Sequence, residues 1–240
     1  MASHSDNLSL SRELVATGRK AADHGRYGHE NPRERYRAQV RTEVKERAWE
    51  QIATAGASAL SLNAIAKQMG MSGPALYRYY ANRDELITEL IRDAYRDLAD
   101  TLRSSADEQD AGPADLAFAL RDWALADPQR YFLLYGTPVP GYHAPDDTTA
   151  IAAEIMEILL DTGAGLAGDD GAGSAFARHL ASHRGWTRDH PAPPAVLHWA
   201  LKFWTRLHGA LSLELAGQFT GMGFDPALLF RAELEDLLTL

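Results

Sequence analysis

The sequence predicts an all-α protein: a small N-terminal three-helix domain that contains a helix-turn-helix, followed by a larger helical domain. Apolar residues recur at spacings of three and four along most of the chain, and no segment alternates with the period of a β-strand. Pairs typical of helix starts, such as Asp127-Pro128 and Asp225-Pro226, divide this pattern into separate helices. Between Leu60 and Arg83 a glycine separates two short helical patterns, as in a helix-turn-helix.

The composition restricts the kinds of site that the chain can form. Its 240 residues suit a small domain joined to a larger one, and the absence of cysteine excludes disulfides, cysteine nucleophiles and thiolate metal sites. The net charge of −9 is uneven, because residues 1–97 contain 15 Lys or Arg and 13 Asp or Glu, whereas the remainder contains 9 and 20. The N-terminal part can therefore carry a phosphate-binding face on an acidic protein.

The first 32 residues are polar and only weakly periodic, so we expect a disordered extension with a transient helix near residues 10–21. They show no basic segment followed by an apolar run, and no stretch of about 18 uninterrupted apolar residues occurs anywhere. We therefore expect a cytoplasmic protein that has no membrane partner.

The first predicted helix runs from Arg33 to Gly56, with Val40, Val44 and Ile52 on its apolar face. It also carries a basic segment, which consists of Arg33, Arg35, Arg37, Arg41, Lys45 and Arg47. These side chains form either a solvated helix face or a set of phosphate contacts, and the sequence leaves both readings open.

The next two helices form the predicted helix-turn-helix. Ser61 precedes a helix that ends at Gly70, and Ser72 is the expected cap of a second helix that reaches Tyr80 with Pro74 in its first turn. The start of this second helix is built from small residues that let the backbone approach base edges in a major groove. These residues are Ser72, Gly73, Pro74 and Ala75.

Larger polar side chains follow the small residues. Tyr77 and Tyr79 offer hydroxyls to phosphate oxygens, and Arg78 can reach a phosphate or a guanine edge. Arg83 stands at the start of the next helix, where the helix dipole favours an anion. A helix-turn-helix also occurs as plain scaffold, but the tyrosines and the basic flank favour DNA binding.

The rest of the chain is predicted as further helices and loops. Asn82 starts a long helix that ends near Ser104. The predicted helices that follow are 116–126, 128–135, one around Ile151–Leu159, one around Phe176–Leu180, 195–218 and 226–240. Residues 163–173 contain five glycines and are expected to form a mobile surface loop.

Many aromatic side chains lie in this larger domain and are candidates for lining a small-molecule cavity, although such stripes also occur as plain core. The candidates are Trp123, Tyr131, Phe132, Tyr135, Tyr142, Trp199, Phe203, Trp204 and His208.

His179 and His183 have the spacing of zinc ligands, but no third ligand is evident. Ser182 and Asp189-His190 lack a G-x-S-x-G nucleophile motif. We therefore predict no metal, no cofactor and no catalytic residue.

The segment SLNAIAKQMGMSGPALYRYYANRDELITEL, residues 61–90, resembles the DNA-binding segment of the TetR family of repressors. The family pattern is matched by Leu76 to Tyr80, Asn82-Arg83 and Glu85-Leu86. The resemblance implies base contacts from Gly73, Pro74, Ala75 and Arg78, and phosphate contacts from Ser61, Asn63, Tyr77, Tyr79 and Arg83. The chain departs from the family where Arg83 replaces the usual lysine and where Gly73 replaces a longer polar residue.

The C-terminal half resembles a subgroup of that family marked by Trp204, His208 and Gly209 at Trp-x-x-x-His-Gly spacing, and by residues 126–131. The resemblance implies an effector pocket and a homodimer in which the last two helices of each copy form a four-helix interface. It divides the chain into a DNA-binding domain, residues 33–83, and an effector-binding and dimerisation domain, residues 84–240. The implied function is a repressor that binds a palindromic double-stranded DNA operator and is released by a small-molecule effector.

Two other functions stay open at this point. One is an enzyme that carries a helix-turn-helix, although no metal group, phosphate-binding loop or nucleophile motif supports it. The other is a DNA-binding protein that needs no effector. The larger domain, with roughly 150 residues, exceeds what dimerisation alone needs, so we prefer the effector-controlled regulator.

Overall fold

The computed structural model describes residues 31–165 and 174–239, and its regular structure within these ranges is entirely helical. This confirms the predicted fold class. The helices are α1 Pro32–Ala55, α2 Leu62–Gln68, α3 Gly73–Leu76, α4 Arg83–Ala106, α5 Pro113–Ala126, α6 Pro128–Tyr135, α7 Asp146–Thr162, α8 Ala175–Ala181, α9 Pro194–Leu215 and α10 Pro226–Leu238. Short 3₁₀ turns occupy Ala57–Ala59 and Gly185–Thr187. The expectations for residues 1–30 and for most of the glycine-rich segment, residues 166–173, lie outside the described residues.

Polar side chains cap most of the predicted helix starts. In each case a side-chain oxygen accepts a hydrogen bond from a backbone N–H two or three residues later, which satisfies one free donor of the first turn. These caps are Asn31, Ser61, Asn82, Asp127 and Asp225. The local sequence therefore determines where these helices begin.

Ser72 is the N-cap residue of α3, as predicted, but its side chain makes no capping hydrogen bond. Capping needs a free N–H in the first turn. Pro74 has no N–H, and the N–H of Ala75 already donates to the carbonyl of Ser72 at 2.9 Å. The hydroxyl of Ser72 is left on an exposed residue at the start of the helix.

The helix α3 is also shorter than predicted, because it ends at Leu76 instead of Tyr80. After Leu76 the backbone tightens into turns, in which the N–H of Tyr79 donates to the carbonyl of Leu76 at 2.8 Å. Arg41 from α1 donates to the carbonyl of Tyr79 at 3.2 Å. A side chain from another helix thus satisfies a carbonyl that a longer α-helix would pair with its own N–H groups.

Other boundaries differ from the prediction by a few residues. The helix α5 begins at Pro113 instead of Leu116, because proline suits a first turn and the carboxylate of Asp115 accepts a hydrogen bond from the N–H of Gly112 at 2.8 Å. The helix α9 ends at Leu215, just before Gly217 turns the chain with a φ of 70°.

The buried side chains form two cores, and α4 contributes to both. The N-terminal core joins α1, α2 and α3 to Leu86, Ile87, Leu90 and Ile91 of α4. The C-terminal core joins α5 and the later helices to Leu98, Ala99 and Leu102 of the same helix. One rigid helix therefore connects the two parts, while the domain boundary at residue 83 stays a prediction.

The loop between α6 and α7 makes a second connection between the two cores. Val139 in this loop is buried in the N-terminal core. The hydroxyl of Tyr142 lies 3.1 Å from the hydroxyl of Thr88, which is buried on α4. Tyr142 therefore packs against the N-terminal core. Among the described helices, none is long and apolar enough to cross a membrane.

Candidate nucleic-acid interface and ligand site

The turn between α2 and α3 has the geometry of a helix-turn-helix. Gly70 has a φ of 64°, in the left-handed region that favours glycine, and the next N–H, that of Met71, donates back to the carbonyl of Ala66 at 2.8 Å. A Cβ atom on Gly73 would lie 3.4 Å from the side-chain oxygen of Asn63. The two short helices thus meet closely at two residues predicted to touch DNA.

The segment from Ser72 to Tyr80 has an inner face and an outer face. Leu76 and Tyr80 are buried in the N-terminal core and hold the segment in place. Its outer positions are exposed, and the side chain of Tyr77 is 44% accessible. The exposed residues on this face are Ser72, Pro74, Tyr77 and Arg78, whereas Gly73, Ala75 and Tyr79 are half-buried. The geometry is suited to presenting small and basic residues to a groove, and the individual DNA contacts stay predictions.

Arg41 ties this segment to the rest of the N-terminal core. Besides its bond to the Tyr79 carbonyl, its guanidinium pairs with Glu89 of α4 and lies 4.6 Å from the ring centre of Tyr80. The hydrogen bond with Glu89 raises the pKa of Arg41. Burial would raise the pKa of Glu89, but its bond with Arg41 and the charge of Lys45 lower that pKa. Arg41 is therefore a positioning residue for the tyrosine segment.

Five of the six basic residues of α1 fall into two groups, and the sixth, Arg47, pairs with Glu50 of the same helix at 2.9 Å. Lys45 pairs with Glu89 at 3.3 Å and with Asp93 at 2.7 Å, so that it joins Arg41 in contacts with α4. Arg33, Arg35 and Arg37 are exposed at the start of the helix. Only this second group resembles a surface that is free to meet phosphates.

Two residues that are predicted to contact phosphates also make hydrogen bonds within the protein. Arg83 donates to the carbonyl of Ala57 at 2.9 Å, and its Nε atom is buried. Ser61 caps α2 with its hydroxyl, while its backbone N–H donates to the side chain of Gln51 at 3.0 Å. Changes at Arg83 or Ser61 would therefore disturb the fold of this region as well as any contact with DNA.

In the C-terminal core, side chains from α4, α6 and α9 form a ring cluster of Tyr95, Tyr131, Tyr135, Trp204 and His208. The His208 ring lies 4.2 Å from Trp204, 4.5 Å from Tyr135 and 5.5 Å from Tyr131, measured between ring centres. Tyr95 meets Tyr135 edge-on at 6.1 Å. Four of the predicted ligand residues are thus in mutual contact.

Hydrogen bonding within the ring cluster is incomplete. The hydroxyl of Tyr131 lies 2.6 Å from the Ser212 hydroxyl and 2.9 Å from Nδ1 of His208. Within the described residues, the Tyr135 hydroxyl and Nε2 of His208 are buried and have no partner. Burial lowers the pKa of His208 to about 4 and raises the pKa of Tyr135 well above its ordinary value. Both groups are therefore neutral near pH 7.

An apolar slot adjoins the ring cluster. Its walls carry aliphatic and aromatic side chains from α4, α5, α7 and α9, and its free volume is about 10 Å³. The walls are Leu102, Leu116, Leu120, Ile155, Ile158, Leu159, Phe203 and Trp204. Trp204 belongs to both the slot and the ring cluster, so the two features are adjacent.

The other predicted ligand residues have different surroundings. Phe132 packs edge-on against Tyr131 at 5.7 Å, next to the ring cluster. The indole N–H of Trp123 donates to Asp97 at 2.7 Å, and that of Trp199 donates to the carbonyl of Leu237 on α10 at 3.1 Å. These two tryptophans are held by structural hydrogen bonds away from the ring cluster.

The histidines with zinc-like spacing stack on each other. The rings of His179 and His183 lie 3.9 Å apart, and Nδ1 of His183 is 2.8 Å from the carbonyl of His179. In residues 31–165 and 174–239, no three His, Asp or Glu side chains are grouped in a way that could hold a metal ion.

Comparison with known proteins identifies the family. The model for bacterial regulatory proteins of the tetR family matches residues 46–90, and the model for a tetracyclin repressor-like C-terminal domain matches residues 114–237. This chain belongs to the TetR family. An HTH-type transcriptional regulator of Mycobacterium tuberculosis and one of Mycobacterium bovis are each 38% identical to it over 211 residues, covering 82% of this TetR-family chain and 90% of theirs.

Solved structures agree with this assignment. The crystal structure of a candidate regulatory protein, SCO4313, is 68% identical, has a TM-score of 0.82 and covers 88% of this chain and 100% of its own. A TetR-family transcription regulator from Shewanella sp. PV-4 shares the fold, with 17% identity, a TM-score of 0.54 and coverage of 83% and 96%. The protein is thus a DNA-binding transcriptional regulator of the TetR family.

Sequence reasoning missed several residues of this TetR-family protein. Tyr95 fits the helical spacing of Ile91, Leu98 and Leu102 on α4, and that spacing was a usable signal for its burial. Ser212, which contacts Tyr131, and Glu89, which pairs with Arg41, gave no comparable signal.

Proposed function

We propose that this TetR-family regulator is a dimeric repressor that binds a palindromic operator and is released by a small-molecule effector. Its site of action is the cytoplasm, and its working parts are a DNA-binding domain, residues 33–83, and an effector and dimerisation domain, residues 84–240. The observation that carries the proposal is the exposed face around Pro74, Tyr77 and Arg78, which stands on the buried Leu76 and Tyr80.

On DNA, the small residues at the start of α3 approach base edges while longer side chains bind the backbone. Gly73, Pro74 and Ala75 have small side chains, and Arg78 is exposed and can reach a guanine edge or a phosphate. Tyr77, Tyr79 and the exposed arginines at the start of α1 contact phosphates in this proposal. Phosphate contacts of this kind make the affinity for DNA depend on salt.

Exposed apolar residues at the end of α9 and the start of α10 support the dimer. Leu228 is 65% accessible and Met222 is 63% accessible, and Leu213 and Phe224 are exposed in the same part of the chain. Exposed apolar groups of this size commonly mark an interface. A second copy related by a two-fold axis would cover them and would place two recognition segments on successive turns of DNA, which requires a palindromic operator.

The ring cluster and apolar slot are the proposed effector site, marked by Trp204, His208 and Gly209 as in the subgroup that the sequence resembles. The site touches α4 through Tyr95 and α6 through Tyr135. Both elements reach the N-terminal core, α4 directly and α6 through Leu133, Leu134 and the loop that follows it. An effector that favours one arrangement of these elements changes the spacing of the recognition segments, and a full switch needs a differential affinity of about 10⁴-fold.

The test is a selection of bound sequences from random DNA duplexes, repeated in the presence of cell metabolites. We expect an enriched palindrome and a loss of the enriched sequences when metabolites are added. Enrichment of a site without two-fold symmetry would contradict the dimer on a palindrome. Enrichment that no metabolite changes would indicate a regulator that needs no effector.

A further inference from the structure

We propose that the ring cluster and the apolar slot form one binding site for a neutral, mostly apolar molecule that carries a single hydroxyl group. The hydroxyl is bound by Tyr135 and His208, and the apolar part enters the slot beyond Trp204. This inference rests on the proposed effector function and specifies the chemical class of the effector.

The two buried polar atoms specify the hydroxyl. A buried polar atom without a partner is costly, and most such atoms in folded proteins have one. The Tyr135 hydroxyl can donate and accept, whereas Nε2 of His208 donates in one neutral tautomer and accepts in the other. An alcohol both donates and accepts, so it satisfies the two atoms with either tautomer. An ether or a hydrocarbon does not.

The surroundings exclude a charged head group. The rings of Tyr131, Tyr135 and Trp204 enclose His208, and Tyr131 links it to the hydroxyl of Ser212. Burial lowers the pKa of His208, so this ring is neutral near pH 7. A carboxylate or an ammonium group would lose its hydration without gaining an opposite charge from these side chains.

The slot specifies the rest of the molecule. Its eight wall residues are all aliphatic or aromatic, and one of them, Trp204, also packs against the ring of His208. The free volume of about 10 Å³ is close to that of a single water-sized probe, so a ligand must displace wall side chains to enter. This coupling of entry to side-chain movement is what an effector site needs in order to shift a conformational equilibrium.

The experiment measures binding of three probes of equal chain length by isothermal titration calorimetry on the full-length protein. The probes are 1-octanol, octanoate and octylammonium, used at pH 7.5. We expect octanol to bind and the two charged probes to bind at least about a hundredfold more weakly. Equal binding of all three probes, preference for a charged probe, or no binding of octanol would overturn the proposal.

Two tyrosine variants test whether the hydroxyl group of octanol binds at Tyr135. Tyr135→Phe removes the unpartnered hydroxyl and should weaken octanol binding about tenfold, which corresponds to one hydrogen bond. The control Tyr36→Phe removes a hydroxyl from an exposed tyrosine of α1, outside the ring cluster, and should leave octanol binding unchanged. Because Tyr135→Phe removes an unsatisfied polar group, its melting temperature should equal or exceed that of the wild type, which separates lost binding from lost folding. Equal octanol binding by Tyr135→Phe and the wild type would overturn the role of Tyr135.

A parallel measurement of operator binding separates this inference from the proposed function. If octanol binds as expected but operator affinity stays the same, the site is upheld and release by its occupant is wrong. If a metabolite extract releases the operator while octanol does not bind, effector control is upheld and the proposed ligand class is wrong.

Discussion

The neutral, buried His208 should make the stability of the protein depend on pH. Its pKa is about 4 in the folded protein because of burial, against about 6.5 for an unperturbed histidine. The unfolded chain therefore binds a proton between these two values that the folded protein does not bind. The contribution of His208 to the free energy of unfolding is fully present above about pH 6.5 and is lost as the pH falls toward 4.

The size of the effect follows from the two pKa values. Lowering the pH from 7 to 5 should reduce the free energy of unfolding by about 2 kcal/mol through His208 alone. The variant His208→Asn cannot take up this proton, so it should lose less stability over the same range. His198, whose pKa is also lowered by burial, and the carboxylates are common to both proteins and cancel in the comparison.

The assay is urea unfolding followed by circular dichroism at pH 7 and pH 5, on wild type and His208→Asn at equal protein concentration. Equal concentration matters because the stability of a dimer depends on it. Between pH 7 and pH 5, the free energy of unfolding of the wild type should fall by about 2 kcal/mol more than that of His208→Asn. Equal losses in the two proteins would refute the neutral, buried state of His208.

Two further predictions concern DNA positioning and assembly. Arg41→Met keeps a long side chain but removes the hydrogen bond to the Tyr79 carbonyl. Operator affinity measured by fluorescence anisotropy should therefore fall about fivefold, while the helical content stays the same. Unchanged affinity would show that Arg41 does not position the tyrosine segment. Leu228→Glu places a charge on the exposed apolar surface of α10 and should convert the dimer to a monomer in light scattering. The control Leu125→Glu, on an exposed position of α5, should stay dimeric, and a dimeric Leu228→Glu would place the interface elsewhere.

The sequence predicted those parts of the fold that local chemistry determines. Asn82 and Asp127 mark helix starts because a cap acts over two or three residues, and Gly70 marks the turn because few other residues adopt its φ. The end of α3 was not predictable in this way. Beyond it, the Tyr79 carbonyl accepts a hydrogen bond from Arg41, which lies 38 residues earlier in the chain.

The sequence predicted some residues of the candidate ligand site but not the contacts that those residues make. Tyr131, Tyr135, Trp204 and His208 were recognised as aromatic residues at helical spacing, and the fold brings them together. Trp123 fits that description equally well, yet its indole N–H pairs with a carboxylate on another helix. Sequence spacing indicates that a ring is buried, whereas the partner that it meets depends on how the helices pack.

The most direct test of the account is the affinity of Arg78→Ala for the selected operator, measured by fluorescence anisotropy. Arg78 is exposed on the outer face of the recognition segment, so its loss should affect DNA binding without disturbing either core. We predict a loss of at least about tenfold, while the control Arg188→Ala, in the C-terminal part, binds as the wild type does. If Arg78→Ala binds the operator as tightly as the wild type, this face is not the surface that reads DNA.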